Sequence, residues 1–158
     1  MMQRLTLPRS ATPRYMLVAE ASTSTEADRM DDVIRRALSG GQVIDITTIG
    51  RHTGQSRRIE IVTHVFAGHT YISGMPSSRT RSWILNLQAD PNLTVHLKGP
   101  GPIADLPATA RIITDEAERR RVLEQVARVW HRTDLEVMVR LSPLIEVTVP
   151  GSTDVTAA

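Results

Sequence analysis

Between Thr47 and Arg58 the chain reads TTIGRHTGQSRR, a set of residues suited to holding an anion. Gly50 and Gly54 can take φ > 0 and let main-chain N–H groups come close to a phosphate or carboxylate. Arg51, Arg57 and Arg58 offer charge-assisted donors, and Thr53 offers a hydroxyl. His52 adds a donor whose charge depends on pH near neutrality. A hairpin turn needs only two residues, so this segment carries more chemistry than turning requires. The competing reading is a solvated loop that binds nothing.

Two strands must flank the segment. QVIDITTI (42–49) alternates apolar and polar residues up to it, and RRIEIVTHVF (57–66) leads away, with Ile59, Ile61, Thr63 and Val65 on one face. TYISG (70–74) returns as a hairpin. A helix is expected from Ser78 to Ala89, with Trp83 and Leu87 on one side and Asp90-Pro91 ending it. NLTVHLKG (92–99) is a further strand with Leu93, Val95 and Leu97 inward. The turn GPGP (99–102) precedes a strand region ending near Ile113. DEAERRRVLEQVARVW (115–130) is an amphipathic helix with acids in its first turn and a stripe of Val122, Val126, Val129 and Trp130. Thr133 with Glu136 opens a shorter helix, and LIEVTV (144–149) is the last strand.

Ahead of these elements, Thr25 and Asp28 form a capping-box pattern for a helix that Gly40-Gly41 stops. Residues 1–24 share the composition of a transit peptide, but their apolar run YMLVA is too short for a secretory core. They read as a loosely ordered arm, residues 25–149 as a single domain, and residues 150–158 as a flexible tail. About six strands joined by turns, with a helix inserted between them, define an α+β protein. Its sheet is expected to be a small, partly open antiparallel barrel with flanking helices.

Composition narrows the function. The 158 residues are 41% apolar and 23% charged, as in a soluble globular domain. Cysteine is absent, which excludes disulfides and cysteine nucleophiles. No run approaches the roughly 18 apolar residues of a membrane span. A cytoplasmic location is therefore expected, with membrane association left open. Eighteen of the 19 cations are arginine, yet the net charge is only +2 and acids interleave with them. The run ERRR (118–121) thus reads as a solvated helix face, and nucleic acid is not an expected partner. His64 and His96 could share a barrel face, but nothing stands at ligand spacing beside them, so no metal is expected.

The pattern T-T-x-G-R-x-T-G-x-x-R is carried by Thr47, Thr48, Gly50, Arg51, Thr53, Gly54 and Arg57. About two dozen residues later comes W-x-L-N-L-x-A-x-P-x-L-x-V, from Trp83 to Val95. Together these motifs resemble the deazaflavin-dependent nitroreductase family, whose members share the flavin-binding split β-barrel of pyridoxamine-phosphate oxidases. The resemblance centres on residues 42–114. It implies a coenzyme, F-420, that carries a phosphodiester and an oligoglutamate tail. Arg51, His52, Thr53, Gly54 and Arg57 would hold the phosphate and nearby tail, with Arg58 a looser candidate. His52 stands where relatives often have lysine, so its contribution would weaken as pH rises.

The stretch SGMPSSRTRSW (73–83) departs from the family, with Met75-Pro76 where a polar pair is expected beside the deazaflavin ring. The resemblance makes Met75 and Ser77 ring contacts, Ser77 and Ser78 candidate proton donors, and Trp83 a wall of the ring pocket. Arg79 and Arg81 could reach the acidic tail. The chain has no tyrosine after Tyr71, so nitroimidazole activation does not follow. The expected activity is hydride transfer to a small quinone, enone or nitro compound. Two alternatives stand beside it: FMN in the same phosphate loop, and a non-catalytic carrier of a lipid or haem-like ligand. Such barrels are often dimers, so a homodimer is the candidate assembly.

Overall fold

Strand β1 (Val43–Ile49) buries Ile44, Ile46 and Thr48 and turns the residues between them to its other face, as period-2 alternation requires. It is one of six strands in a computed structural model that describes residues 26–38, 41–99 and 103–150. The others are β2 (Ser56–Phe66), β3 (His69–Ser73), β4 (Asn92–Leu97), β5 (Ala104–Ile112) and β6 (Leu144–Thr148). Each pairs antiparallel with two neighbours in the ring order β1, β2, β3, β6, β5, β4. The partly open barrel expected from sequence is therefore closed. The pairing of β1 with β4 removes the last free edge.

Ile44, Ile46, Ile72, Val95, Leu106 and Ile145 fill the barrel. The described part of helix α1 (Glu26–Leu38) adds Ile34 and Leu38 to that core. A second core lies outside it, where α3 (Glu116–Val129) and α4 (Leu135–Leu141) cover β3 and β6. Tyr71, Val122, Leu123, Val126, Met138 and Leu144 meet there. Buried on both faces, β3 and β6 lose the simple alternation of a half-solvated strand.

Three expectations are corrected in the helices. Val129 is 54% exposed, and Leu123 and Ala127 complete the buried stripe of α3 in its place. Asp134, not Thr133, holds the cap position of α4, and its carboxylate is taken by Arg132 at 2.5 and 2.9 Å instead of capping the helix. Helix α2 is Ser82–Ala89, four residues shorter at its start than the expected helix from Ser78. The Ser77 hydroxyl folds back on Arg79, and the Ser77 N–H donates to the Leu141 carbonyl at 3.0 Å, so this segment stays outside the helix.

Helix α2 links β3 to β4, which are not neighbours in the ring, and so crosses one end of the barrel. Ile84 and Leu87 enter the core and Trp83 packs partly against it. The expected arm, the Thr25–Asp28 capping pattern, Gly40, Pro100 to Pro102 and the tail after Pro150 lie outside what the structure describes, as does the Asp28 side chain. Among the described residues, no helix is long and apolar enough to cross a membrane.

Candidate active site

The hairpin between β1 and β2 is closed by its own backbone. Gly50 N–H donates to the Gln55 carbonyl, and Gly54 N–H to the Gly50 carbonyl, both at 2.8 Å. Gly54 has φ +68°, the left-handed conformation expected of it, which L side chains adopt only at a cost. Gly50 is glycine for a different reason from the one expected. It has no positive φ, but a Cβ there would lie 2.8 Å from Thr53 Oγ1 and 3.2 Å from the Gln55 carbonyl oxygen.

A side chain from α2 pins this hairpin. Asn86 Oδ1 accepts from the Arg51 main-chain N–H at 3.1 Å and from Arg51 Nη1 at 3.3 Å. Asn86 Nδ2 donates to Thr48 Oγ1 at 3.1 Å, inside the protein, where Thr48 is itself buried. The start of the loop, the end of β1 and helix α2 are thus held by one amide.

A cavity of about 420 Å³ opens beside that junction, with Arg51, His52, Thr53 and Arg57 on one side and Trp83 and Asn86 on the other. Ile59 and Trp83 supply its apolar wall, and no acid lines it. Among the described residues, neither Arg57 nor His52 pairs with a carboxylate. Thr53 Oγ1 accepts the Gln55 N–H at 3.2 Å, which leaves its own proton free to donate. An unspent guanidinium, an imidazole and a free hydroxyl beside an indole fit a phosphodiester attached to a flat ring.

The structure separates the remaining candidates from this cavity. Strand alternation sends Arg57 and Arg58 to opposite faces, and Arg58 Nε binds Asp45 Oδ2 at 2.8 Å. Lys98 Nζ meets Asp45 Oδ1 at 2.7 Å, and Lys98 first, then Arg58, holds the Asp45 carboxyl below its usual range. Gly54 shapes the turn and does not line the cavity. Met75 is exposed and receives Arg132 Nη1 on its sulfur at 3.1 Å, away from the hairpin.

Ser77, Ser78 and Arg79 line a second cavity, on the other side of α2. The Ser77 hydroxyl donates to the Arg79 carbonyl at 2.9 Å and accepts the Arg79 N–H at 3.2 Å. His64 and His96, considered together for a metal, are engaged separately. His64 lies edge-on to Trp130 with ring centroids 5.0 Å apart. The His96 ring nitrogens lie 2.6 Å from Thr47 Oγ1 and from Asp105 Oδ1. The sequence reading did not single out Asn86 as the anchor of the hairpin. Its signal was present as the asparagine of the W-x-L-N-L motif.

The barrel resembles that of several solved proteins. A pyridoxamine 5'-phosphate oxidase candidate from Listeria innocua matches with a TM-score of 0.56 at 13% identity, covering 77% of this chain and 94% of its own. General Stress Protein 26 from Bacillus anthracis matches at 0.55 and 14%, covering 77% and 89%. A conserved hypothetical protein from Mycobacterium tuberculosis matches at 0.55 and 17%, covering 80% and 81%. These likenesses show the fold, a pyridoxamine-phosphate-oxidase-like split barrel. No curated protein matches the sequence significantly.

The model of the F-420H(2)-dependent quinone reductase family matches residues 20–149, and the chain belongs to that family. It is accordingly an oxidoreductase whose cofactor is coenzyme F-420 and whose reaction is F-420-linked reduction. The FMN and carrier alternatives fall away with that assignment.

Proposed function

We propose that the cavity at the β1–β2 hairpin receives the phosphodiester portion of F-420 and that the reduced coenzyme serves a small quinone. The observation that carries this reading is the Arg57 guanidinium and the His52 imidazole, neither paired with a carboxylate among the described residues, in an acid-free cavity. When bound, reduced F-420 supplies a hydride from C5 to an electron-poor acceptor, and a quinone also takes up one proton to become the hydroquinone. Arg57 and the hydroxyl of Thr53 bind the anion, while Asn86 holds Arg51 in place beside them. Trp83 and Ile59 exclude water from the apolar side of the cavity.

Ser77 spends its proton on the Arg79 carbonyl, whereas Ser78 makes no hydrogen bond among the described residues and is exposed. Both serines line the cavity on the other side of α2, so the proton that completes the hydroquinone is drawn from solvent. Enones and nitro compounds are the competing acceptors. A panel of naphthoquinones, enones and nitroaromatics, assayed by oxidation of reduced F-420, separates them. Quinones are expected to turn over fastest, and reduction of nitroaromatics alone would move the acceptor class.

The same reading places the enzyme in the cytoplasm as a homodimer. The cysteine-free composition supports the first part. The second is supported by the exposed cross-strand neighbours Val43 and Val62, which offer an apolar contact. Sedimentation at micromolar concentration, with Val62→Glu as the comparison, tests the dimer.

A further inference from the structure

We propose that the cavity on the far side of α2 is a second binding site, separate from the coenzyme pocket, for a small carboxylate with an apolar body. It encloses about 370 Å³, a volume in the range of small-molecule sites, roughly 300–1,000 Å³. Helical periodicity divides the two cavities. Arg81, Ile84 and Gln88 face this one, while Trp83 and Asn86 face the hairpin.

Four arginines line the cavity, Arg79, Arg81, Arg119 and Arg140, and no acid does. Arg119 is the deepest of them. Its Nε donates to the Val139 carbonyl at 2.8 Å, Nη1 to Ile113 at 2.9 Å and Nη2 to Ser142 at 2.6 Å. These bonds fix the guanidinium yet use only three of its five N–H donors. They supply no negative charge, and burial pulls the Arg119 pKa down. Elsewhere the chain pairs arginines with carboxylates, as Arg58, Arg111, Arg120, Arg128 and Arg132 show. Arg119 and Arg140 have no such partner among the described residues.

A second observation points to a ligand. Ser142 lines the same cavity, is 3% exposed, and its Oγ has no hydrogen-bond partner. Buried polar atoms are normally paired, and an unpaired one is costly. A carboxylate oxygen would satisfy both that hydroxyl and the open side of the Arg119 fork, which matches carboxylate geometry. Ile84, Ile112 and Leu144 make the remaining surface apolar, suited to a hydrocarbon body. The rim is built as well. Arg81 Nη2 donates to the Met75 carbonyl at 3.0 Å, and a Cβ on Gly74 would lie 2.6 Å from Arg81 Nη1, so glycine there makes room for this guanidinium.

Calorimetric titration of the full chain with naphthoate, and with neutral naphthamide as its isostere, tests the site. Naphthoate should bind at least about tenfold more tightly than the amide, and Arg140→Ala should weaken it by about tenfold. Arg140 is exposed, so this change does not threaten the fold. Ser142→Ala should also weaken naphthoate, and F-420 affinity should be unchanged in Arg140→Ala. Equal binding of acid and amide, or no naphthoate binding at millimolar concentration, would overturn the proposal. So would a parallel loss of F-420 affinity in Arg140→Ala, which would make the cavity an extension of the coenzyme pocket.

Discussion

Asn86 Oδ1 accepts two hydrogen bonds from Arg51, one from its main-chain N–H at 3.1 Å and one from Nη1 at 3.3 Å. The two residues stand 35 positions apart, one in each of the motifs that first marked this chain. Their contact explains why the motifs occur together. The backbone bonds that close the cationic hairpin run between Gly50, Gly54 and Gln55 and leave out Arg51, which the amide of α2 holds instead. On the proposed function Asn86 is a positioning residue, which would act on the coenzyme through Arg51.

Asn86→Ala should cost about 1–3 kcal/mol of stability, because buried Thr48 and the Arg51 N–H both lose a partner. Urea unfolding measures that loss. The folded variant should also bind F-420 several-fold more weakly. An asparagine with only a structural role would lower the unfolding midpoint and leave coenzyme affinity intact.

The two glycines should respond differently to alanine. Gly54→Ala forces a side chain into the left-handed region, at about 1–2 kcal/mol, but meets no neighbour. Gly50→Ala pushes on Thr53 Oγ1 and the Gln55 carbonyl, and should disturb the anion site more than the fold. Coenzyme affinity and unfolding free energy, measured on both variants, should rank them in opposite orders.

His64 sets a pH dependence of stability. It is 4% exposed, and burial lowers its pKa below the ordinary value of 6.5. Below pH 6.5 the unfolded chain takes up a proton that the folded protein resists, so stability falls as pH falls. The loss runs from 6.5 down to the depressed folded value and then levels off. Above 6.5 both states are neutral at this residue and it contributes no slope. Melting temperatures of the wild type should drop as pH falls below 6.5, and His64→Gln should flatten that part of the curve.

Much of this architecture was legible from alternation and turn residues. The six strands lie close to where their apolar periods put them, because each presents at least one face to a core. The start of α2 was not legible, since it depends on a local contest between Ser77 and the backbone of Arg79. Arg57 and Arg58 look equivalent in sequence, and only the phase of β2 gives one to the cavity and the other to Asp45. The residues of the second cavity were hidden for another reason. Arg119, Arg140 and Ser142 come from α3, α4 and the segment after it, and only tertiary packing brings them to the loop before α2. No local pattern encodes that meeting.

On the proposed function the hairpin cavity holds the coenzyme's anion through Arg57. Fluorescence titration with oxidised F-420 at low and at physiological salt tests it on the wild type, Arg57→Ala and Arg58→Ala. Wild-type binding should weaken with salt. Arg57→Ala should lose about tenfold or more in affinity together with part of the salt dependence, while Arg58→Ala stays close to wild type. Equal losses in the two variants, or F-420 binding indifferent to Arg57, would contradict the account.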